Sequence, residues 1–331
     1  MWWPEDKAFR RTFRRLHPDC LYICLMGTET EPVITPDLIN VEAVIASKNP
    51  ALLKIIPRFV IAYLKRIVHQ EEVNGYIWRN RDKTGLPFVE AILKEFGVEV
   101  EVVDARKGQP PALPELIPSA GRYIVVANHP LGGLDGMALM HALGKVRQDL
   151  VFPVNDLLLF IPGLRPLFIP INKHGRNTEN ARIIDETFAS DKMILYFPAG
   201  LCSRKQRVTR HAVNIPAFLR KDKEGERVVC DLEWKTTFIK KAKKYQRDIL
   251  PVFIDGRNSN WFYNLSNFRK RLGIKANLEM LYLVDEMEKQ LGKIITMRIG
   301  EPIPHTVYDK SRTELQWAEW TKEQVYQLQY S

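Results

Sequence analysis

The sequence calls for an α/β protein, with a mixed, mostly parallel sheet flanked by helices and an N-terminal helical module in front of it. Two features carry that expectation. From Tyr123 to about Asp255 strand-like and helix-like runs alternate, and the first of them, YIVVA at Tyr123 to Ala127, is apolar and β-branched without a polar face. A strand covered on both sides of a parallel or mixed sheet has that pattern. From Asp37 to about Glu95, by contrast, the periodicity is helical.

Taken in order, residues 1–25 stand apart. They carry arginines followed by LYICLM, an apolar stretch too short and too lacking in a small-residue cleavage site for a signal peptide. The composition shifts at Met26, so residues 1–25 are read as a non-native or disordered extension and Met26 as the start. Residues 26–110 form the helical, membrane-interacting module, and residues 111–331 the α/β domain. Within the module Asn49-Pro50 is an N-cap and first-turn pair, and Pro57 breaks or kinks the helix. On a helical wheel Lys54, Arg58 and Lys65 share one arc, with Leu52, Ile56, Phe59, Tyr63 and Ile67 opposite. That is an interfacial pattern, although an amphipathic helix packed on a core, or on the helix at Leu86 to Phe96, has the same signature.

Val98 to Val103, VEVEVV, alternates as a half-exposed strand, and Gly108 to Pro118 is a proline-rich connection. After Tyr123 to Ala127 comes a helix at Gly136 to Leu143. Strands follow at Leu150 to Val154 and Phe168 to Asn172, a helix at Thr178 to Ala189, a strand at Met193 to Phe197, a helix at Thr236 to Arg247 and a strand at Ile249 to Ile254. Gln206 to Glu233 reads as an insertion holding a charged hairpin that turns at Gly225.

The formal charge of +10 and pI near 9.3 point to an acidic partner: an anionic membrane surface, an acidic protein or nucleic acid. No nucleic-acid-binding motif accompanies the charge. Cys20, Cys24, Cys202 and Cys230 form no CxxC pair and no Cys/His set with zinc spacing, so neither metal nor disulfide framework is expected, and a reducing cytoplasm suits the chain. No run approaches the eighteen or so apolar residues of a membrane span.

The chemistry concentrates in NHPLGGLDG, Asn128 to Gly136. An imidazole suits general-base work near neutrality, and a carboxylate close to it can hold the ring and stabilise its protonated form. Gly132 and Gly133 allow a turn tight enough to bring Asp135 back toward His129. The plainer reading makes Asp135 a helix N-cap and His129 a satisfied turn residue. A strand end, glycine turn and helix start together form the crevice where open α/β sheets bind ligands.

This nonapeptide resembles the His…Asp block of the glycerol-phosphate and lysophospholipid acyltransferase family, in particular a hemolysin-like or aminolipid acyltransferase subgroup. The family's block has four residues between His and Asp. Here there are five, the extra one falling where the glycines would absorb it as a bulge. LFIPINKHGR, Leu167 to Arg176, resembles the second block, which implies that Lys173 or Arg176 meets the acceptor's phosphate. FPAGLCSRK, Phe197 to Lys205, resembles the third, usually Phe-Pro-Glu-Gly-Thr-Arg-Ser, with Ala199 and Leu201-Cys202 in place of the Glu and Thr-Arg. Gly200 there permits a left-handed or close-approach backbone, and Arg204 offers a planar fork to an anionic head group. WKTTF, Trp234 to Phe238, resembles the segment that follows, placing Lys235 at the acceptor, and LPVFI, Leu250 to Ile254, the acyl-lining fourth block.

The resemblance covers Tyr123 to about Asp255 and implies an acyltransferase needing no cofactor. His129 would deprotonate a lysolipid hydroxyl as it attacks an acyl thioester, with Asp135 orienting the ring. The donor would be acyl carrier protein or coenzyme A, with the lysines of Thr236 to Arg247 (Lys240, Lys241, Lys243, Lys244) as its docking candidate or simply a solvated face. No GxSxG elbow supports a serine nucleophile, and neither Cys202 nor Ser203 has a nucleophile's signature. A lysophosphatidic-acid-type acceptor is the family's default. The altered third block makes a lyso-ornithine or lyso-glycine aminolipid the alternative, and a non-catalytic basic lipid- or nucleic-acid-binding protein the alternative from another class. The expected location is peripheral, on the inner face of the cytoplasmic membrane.

Overall fold

The computed structural model describes residues 39–48, 50–106, 113–154, 158–159, 161–170, 177–209, 212, 214–274 and 277–330. The extension at 1–25, Met26, Asn49, Lys173 and Arg176 lie outside them.

Nine strands are described: β1 Glu99–Asp104, β2 Tyr123–Ala127, β3 Leu150–Val154, β4 Phe168–Pro170, β5 Met193–Tyr196, β6 Arg204–Arg207, β7 Arg227–Cys230, β8 Asp248–Ile254 and β9 Ile294–Ile299. Seven form the main sheet in the order β1-β9-β8-β2-β5-β3-β4. Every neighbouring pair is parallel except β8 and β9. The mixed, mostly parallel α/β sheet flanked by helices is therefore what the chain forms. Helices lie on both of its faces, so β2, between β8 and β5, is apolar along its length. In β2, Val125 and Ala127 face one core and Ile124 and Val126 the other; in β8, Leu250, Val252 and Ile254 oppose Ile249 and Phe253. Helices Leu86–Glu95 and Gly133–Gly144 contribute to the first core, Thr237–Tyr245 and Glu314–Gln327 to the second.

The boundary drawn at residue 110 falls inside one compact unit, Asp37–Ser331. Helix Leu86–Glu95 buries Phe88, Val89, Ile92 and Leu93 in the first core, and β1 is the sheet's edge, in register with β9 from Glu99↔Ile294 to Asp104↔Ile299. The alternation of VEVEVV belongs to that edge position, where one side packs and the other meets water.

Pro57 separates helices Pro50–Ile55 and Arg58–Ile67. It lacks the N–H needed to continue the first and caps the second with extended backbone. The apolar arc read on the wheel does not stay together. Ile67 turns into the protein, as does Ile61, whereas Phe59 is 75% exposed and Tyr63 remains outside. Lys65 pairs with Glu42 at 3.0 Å.

The charged insertion is also built differently from the expected hairpin. β7 pairs antiparallel with β6, from Arg204↔Cys230 to Arg207↔Arg227, and helix Ala217–Asp222 lies between the two strands. Gly225, at φ +86°, turns the chain into β7, and its N–H donates to the Val208 carbonyl. Arg220 to Asp222 thus end a helix, because β7 finds its partner some twenty residues upstream. Past residue 255, where the sequence reading assigned nothing, the chain forms helix Asn260–Arg271, a 3-10 turn at Leu278–Tyr282, helix Leu283–Glu288, β9 and helix Glu314–Gln327. Among the described residues no helix is long and apolar enough to cross a membrane.

Candidate active site

β2 ends at Ala127, and the next two residues leave the sheet under tight control. Asn128 replaces backbone pairing with its side chain: its amide donates to the Ile254 carbonyl at 2.9 Å and accepts from the Ile254 N–H at 2.6 Å. His129 is held through its backbone, the N–H donating to Asp231 Oδ1 at 3.1 Å and the carbonyl accepting from the Ser203 N–H at 2.7 Å. The chain then reverses through Gly132, whose φ of +90° favours glycine. Helix Gly133–Gly144 begins there.

Asp135, in the first turn of that helix, is completely buried. Its Oδ2 accepts from the N–H of Leu131 at 2.8 Å, from that of Gly132 at 3.0 Å, and from His129 Nδ1 at 3.0 Å. The five-residue spacing is absorbed by this wrap, in which the turn's own amides close on the carboxylate. One side chain thus closes the turn and holds the imidazole, with Gly132 at the N-cap and Asp135 three residues into the helix. Burial raises the Asp135 pKa, while the hydrogen bonds to His129, Leu131 and Gly132 work against the rise. Oδ1 has no hydrogen-bond partner among the described residues.

The His129 ring stacks on Phe197, with centroids 4.2 Å apart and planes 15° from parallel. Its other side-chain partner is Cys202, which is fully buried. Burial opposes a charge on the ring, but the Cys202 sulfur and the Asp135 carboxylate outweigh it and raise the His129 pKa above the ordinary histidine value. With Nδ1 committed to Asp135, proton exchange falls to Nε2. An imidazole held in this way can act as an oriented general base.

The segment after β5 supplies the opposite wall. Gly200 adopts φ +65°, and a Cβ there would stand 3.2 Å from Lys235 Nζ. Lys235 is joined to the same turn by its N–H, which donates to the Pro198 carbonyl at 3.1 Å, and its side chain is exposed. The structure therefore brings Gly200 and Lys235 together beside Phe197.

Arg204 is elsewhere. Expected to hold an anionic head group, it is buried, donating to Glu279 Oε1 at 2.7 Å and to the Cys202 carbonyl at 2.6 Å, with its guanidinium over the Phe262 ring. Arg269 engages the same carboxylate at 2.5 and 3.0 Å. Burial would raise the pKa of Glu279, yet the two guanidinium groups hold it below the usual range. Arg204 thus fastens the Cys202 loop to the C-terminal segment and presents nothing to an acceptor. The basic face of helix Thr237–Tyr245 is likewise largely spent: Lys241 and Lys244 pair with Asp185, and Lys240 with Glu314 at 3.2 Å.

Asp231 is the residue that the sequence reading missed. Fully buried, it gathers the His129 N–H, the Ser203 hydroxyl at 2.6 Å and the Trp234 indole N–H at 2.9 Å, and its own N–H donates to the Tyr326 hydroxyl at 2.7 Å. The buried Lys322 ammonium donates to the carbonyls of Asn214, Asp231 and Leu232. Asp231 lies in the stretch taken for an insertion, and its one nearby signal is Trp234, three residues on. No group of three or more His, Cys, Asp or Glu side chains suited to a metal ion occurs among the described residues.

Comparison with known proteins gives three results. The family model described as Acyltransferase matches residues 43–331. The lyso-glycine lipid O-acyltransferase of Bacteroides thetaiotaomicron is 44% identical over 293 residues, spanning 88% of this chain and 97% of that protein, and the one from Phocaeicola vulgatus is 43% identical over 88% and 95%. The crystal structure of the 1-acyl-sn-glycerophosphate acyltransferase PlsC from Thermotoga maritima aligns over 82% of this chain and 93% of its own, at 16% identity and a TM-score of 0.40.

Proposed function

This chain belongs to the acyltransferase family and is an acyltransferase, and from that premise we propose that it moves a fatty acyl group from a thioester onto the hydroxyl of a lyso-glycine lipid. The observation that carries the chemistry is the imidazole held at Nδ1 by a buried carboxylate, 3.0 Å away, at the mouth of a glycine turn. His129 Nε2 takes the proton of the acceptor hydroxyl as its oxygen attacks the thioester carbonyl. The tetrahedral intermediate then collapses, the C–S bond breaks, and the proton passes from the imidazolium to the departing thiolate. Asp135 fixes the tautomer and stabilises the transient positive ring. Acyl carrier protein and coenzyme A both supply such a donor.

The choice of acceptor rests on the relatives and on the local charges. Relatives more than 40% identical over nearly their whole length carry the lyso-glycine name. Beside His129, Cys202 stands where the family block has an arginine, and Arg204 is consumed by Glu279. A phosphate monoester brings about −1.5 to −2 charges, and among the described residues Lys235 is a single exposed cation at this turn. An N-acylated glycine ends in one carboxylate, which a single ammonium can match. This reading moves the lysophosphatidic acid default to second place. The lipid acceptor and the net charge of +10 favour work at an anionic membrane surface on the cytoplasmic side, where the thioester donors are made.

The experiment is a competition. Purified enzyme is given one acyl thioester with equal lyso-glycine lipid and lysophosphatidic acid in detergent micelles, and the products are separated by mass. Predominant diacylated glycine lipid supports the reading, and predominant phosphatidic acid overturns the acceptor assignment.

A further inference from the structure

Helix Asn260–Arg271 has one face buried by Phe262, Tyr263, Ser266 and Arg269. The other face is apolar as well. Trp261 (48% exposed), Phe268 (58%) and Leu272 (59%) follow at spacings of seven and four, which on an α-helix is a single stripe. Ile274 and, on the 3-10 turn, Leu278 and Leu281 extend the exposed apolar surface. It then joins helix Arg58–Ile67: the Tyr282 ring meets Trp261 edge-on at 4.3 Å, and the Tyr63 and Tyr282 hydroxyls hydrogen-bond. Phe59 and Ile55, each 75% exposed, continue the surface.

The fringe of this surface is positive. Arg58, Arg66, Arg257, Lys270 and Arg271 are exposed. The carboxylates around it are taken up internally, Glu279 by Arg204 and Arg269, Asp285 by His69, and Glu286 by Ser259 and Lys289. Beneath the surface, Phe262 and Tyr263 form a small core with Cys202, and Leu283 packs against it and lies beside Gly132.

We propose that these segments, residues 55–66, 261–274 and 277–282, form one bilayer-docking face that binds anionic lipid. The inference rests on the lipid-acyltransferase reading, and it adds a docking element from the C-terminal part of the chain. Trp and Tyr side chains favour the boundary between head groups and acyl chains, and a cationic fringe is attracted to anionic head groups. Two copies of the same face would bring their cationic fringes together, which like-charge repulsion disfavours. Docked this way, the wall that carries Cys202 and Gly132 lies over the membrane surface, and a lysolipid reaches His129 from the bilayer.

The test uses the full chain and vesicles of phosphatidylcholine with or without phosphatidylglycerol, in a flotation assay without substrate. The expectation is binding to anionic vesicles that weakens with salt. It should fall by at least about tenfold in affinity in the triple variant Trp261→Ser, Phe268→Ser, Leu272→Ser, as burial of several large apolar side chains is lost. Turnover of detergent-dispersed acceptor and the melting curve should stay as in the wild type. Should the triple variant misfold, brominated lipid decides with Trp261→Phe: wild-type fluorescence is quenched, and part of that quenching disappears in the variant. Unchanged vesicle affinity in the folded triple variant, or quenching identical with and without Trp261, overturns the proposal. So does a wild-type dimer that the triple substitution dissociates while vesicle binding persists. Because the binding assay contains no substrate, intact docking with no acyl transfer would count against the enzymatic reading alone.

Discussion

Replacing Asp135 by Asn keeps shape and removes charge, and the local geometry says what each change does. The amide oxygen can take the place of Oδ2 and go on accepting from Leu131, Gly132 and His129. The amide NH2 then falls where Oδ1 has no partner among the described residues, which costs about 1–3 kcal/mol for an unsatisfied buried donor. The relief of a fully buried carboxylate offsets part of that, so the fold should survive with a modestly changed melting temperature. The reaction is affected more selectively. The imidazolium that forms in the transition state loses a charge-assisted partner worth about 1.5–3 kcal/mol, which at about 1.36 kcal/mol per tenfold is a kcat lower by about 10- to 150-fold. Acceptor KM should barely move, because the ring keeps its hydrogen bond in the ground state. The assay is steady-state acyl transfer from a thioester to lyso-glycine lipid in micelles, with circular dichroism melting alongside. A folded Asp135→Asn enzyme with kcat within about twofold of wild type would show that the carboxylate is only a cap.

Because Cys202 and Asp135 raise the His129 pKa, the ring keeps its proton to higher pH, so kcat/KM should still be climbing above about pH 6.5. Cys202→Ala should shift that ascending limb to lower pH, and a wild-type limb complete below about 6.5 would contradict the assignment. By linkage the same shift contributes stability that is full below the unfolded value and is lost as pH rises through the folded one, so thermal melting should show a small loss toward alkaline pH. Arg204→Met should lower stability toward the smaller end of about 3–5 kcal/mol, since Arg269 still accompanies Glu279, and leave acceptor KM near normal. A raised KM with unchanged melting would return Arg204 to the acceptor. Lys235→Ala should raise acceptor KM by about tenfold with little change in donor KM or melting, and a purely donor-side effect would exclude its contact with the head group.

What could be read in the sequence depended on how far each residue's partners lie along the chain. The strands Tyr123–Ala127 and Leu150–Val154 were legible to the residue, because their apolar pattern answers to burial on both faces of a sheet. So was the meeting of His129 and Asp135, since both ends of that contact lie within one turn and its glycines. Arg204 was misread because a guanidinium in a family-like block looks the same whether it faces solvent or a carboxylate, and Glu279 is seventy-five residues away. Asp231 was invisible for the same reason: it serves His129 and Tyr326, which lie 102 and 95 residues from it. The amphipathic arc at residues 52–67 was drawn correctly on a wheel, but a wheel knows nothing of neighbours. Contacts from the rest of the chain turned Ile67 inward and left Phe59 outside.

The most direct measurement of the account is acyl transfer by His129→Ala. With one acyl thioester and lyso-glycine lipid in micelles, kcat should fall by about two to four orders of magnitude, the range expected for loss of a general base, while the melting curve and vesicle binding remain those of the wild type. Turnover close to normal in a folded His129→Ala enzyme would contradict the mechanism outright.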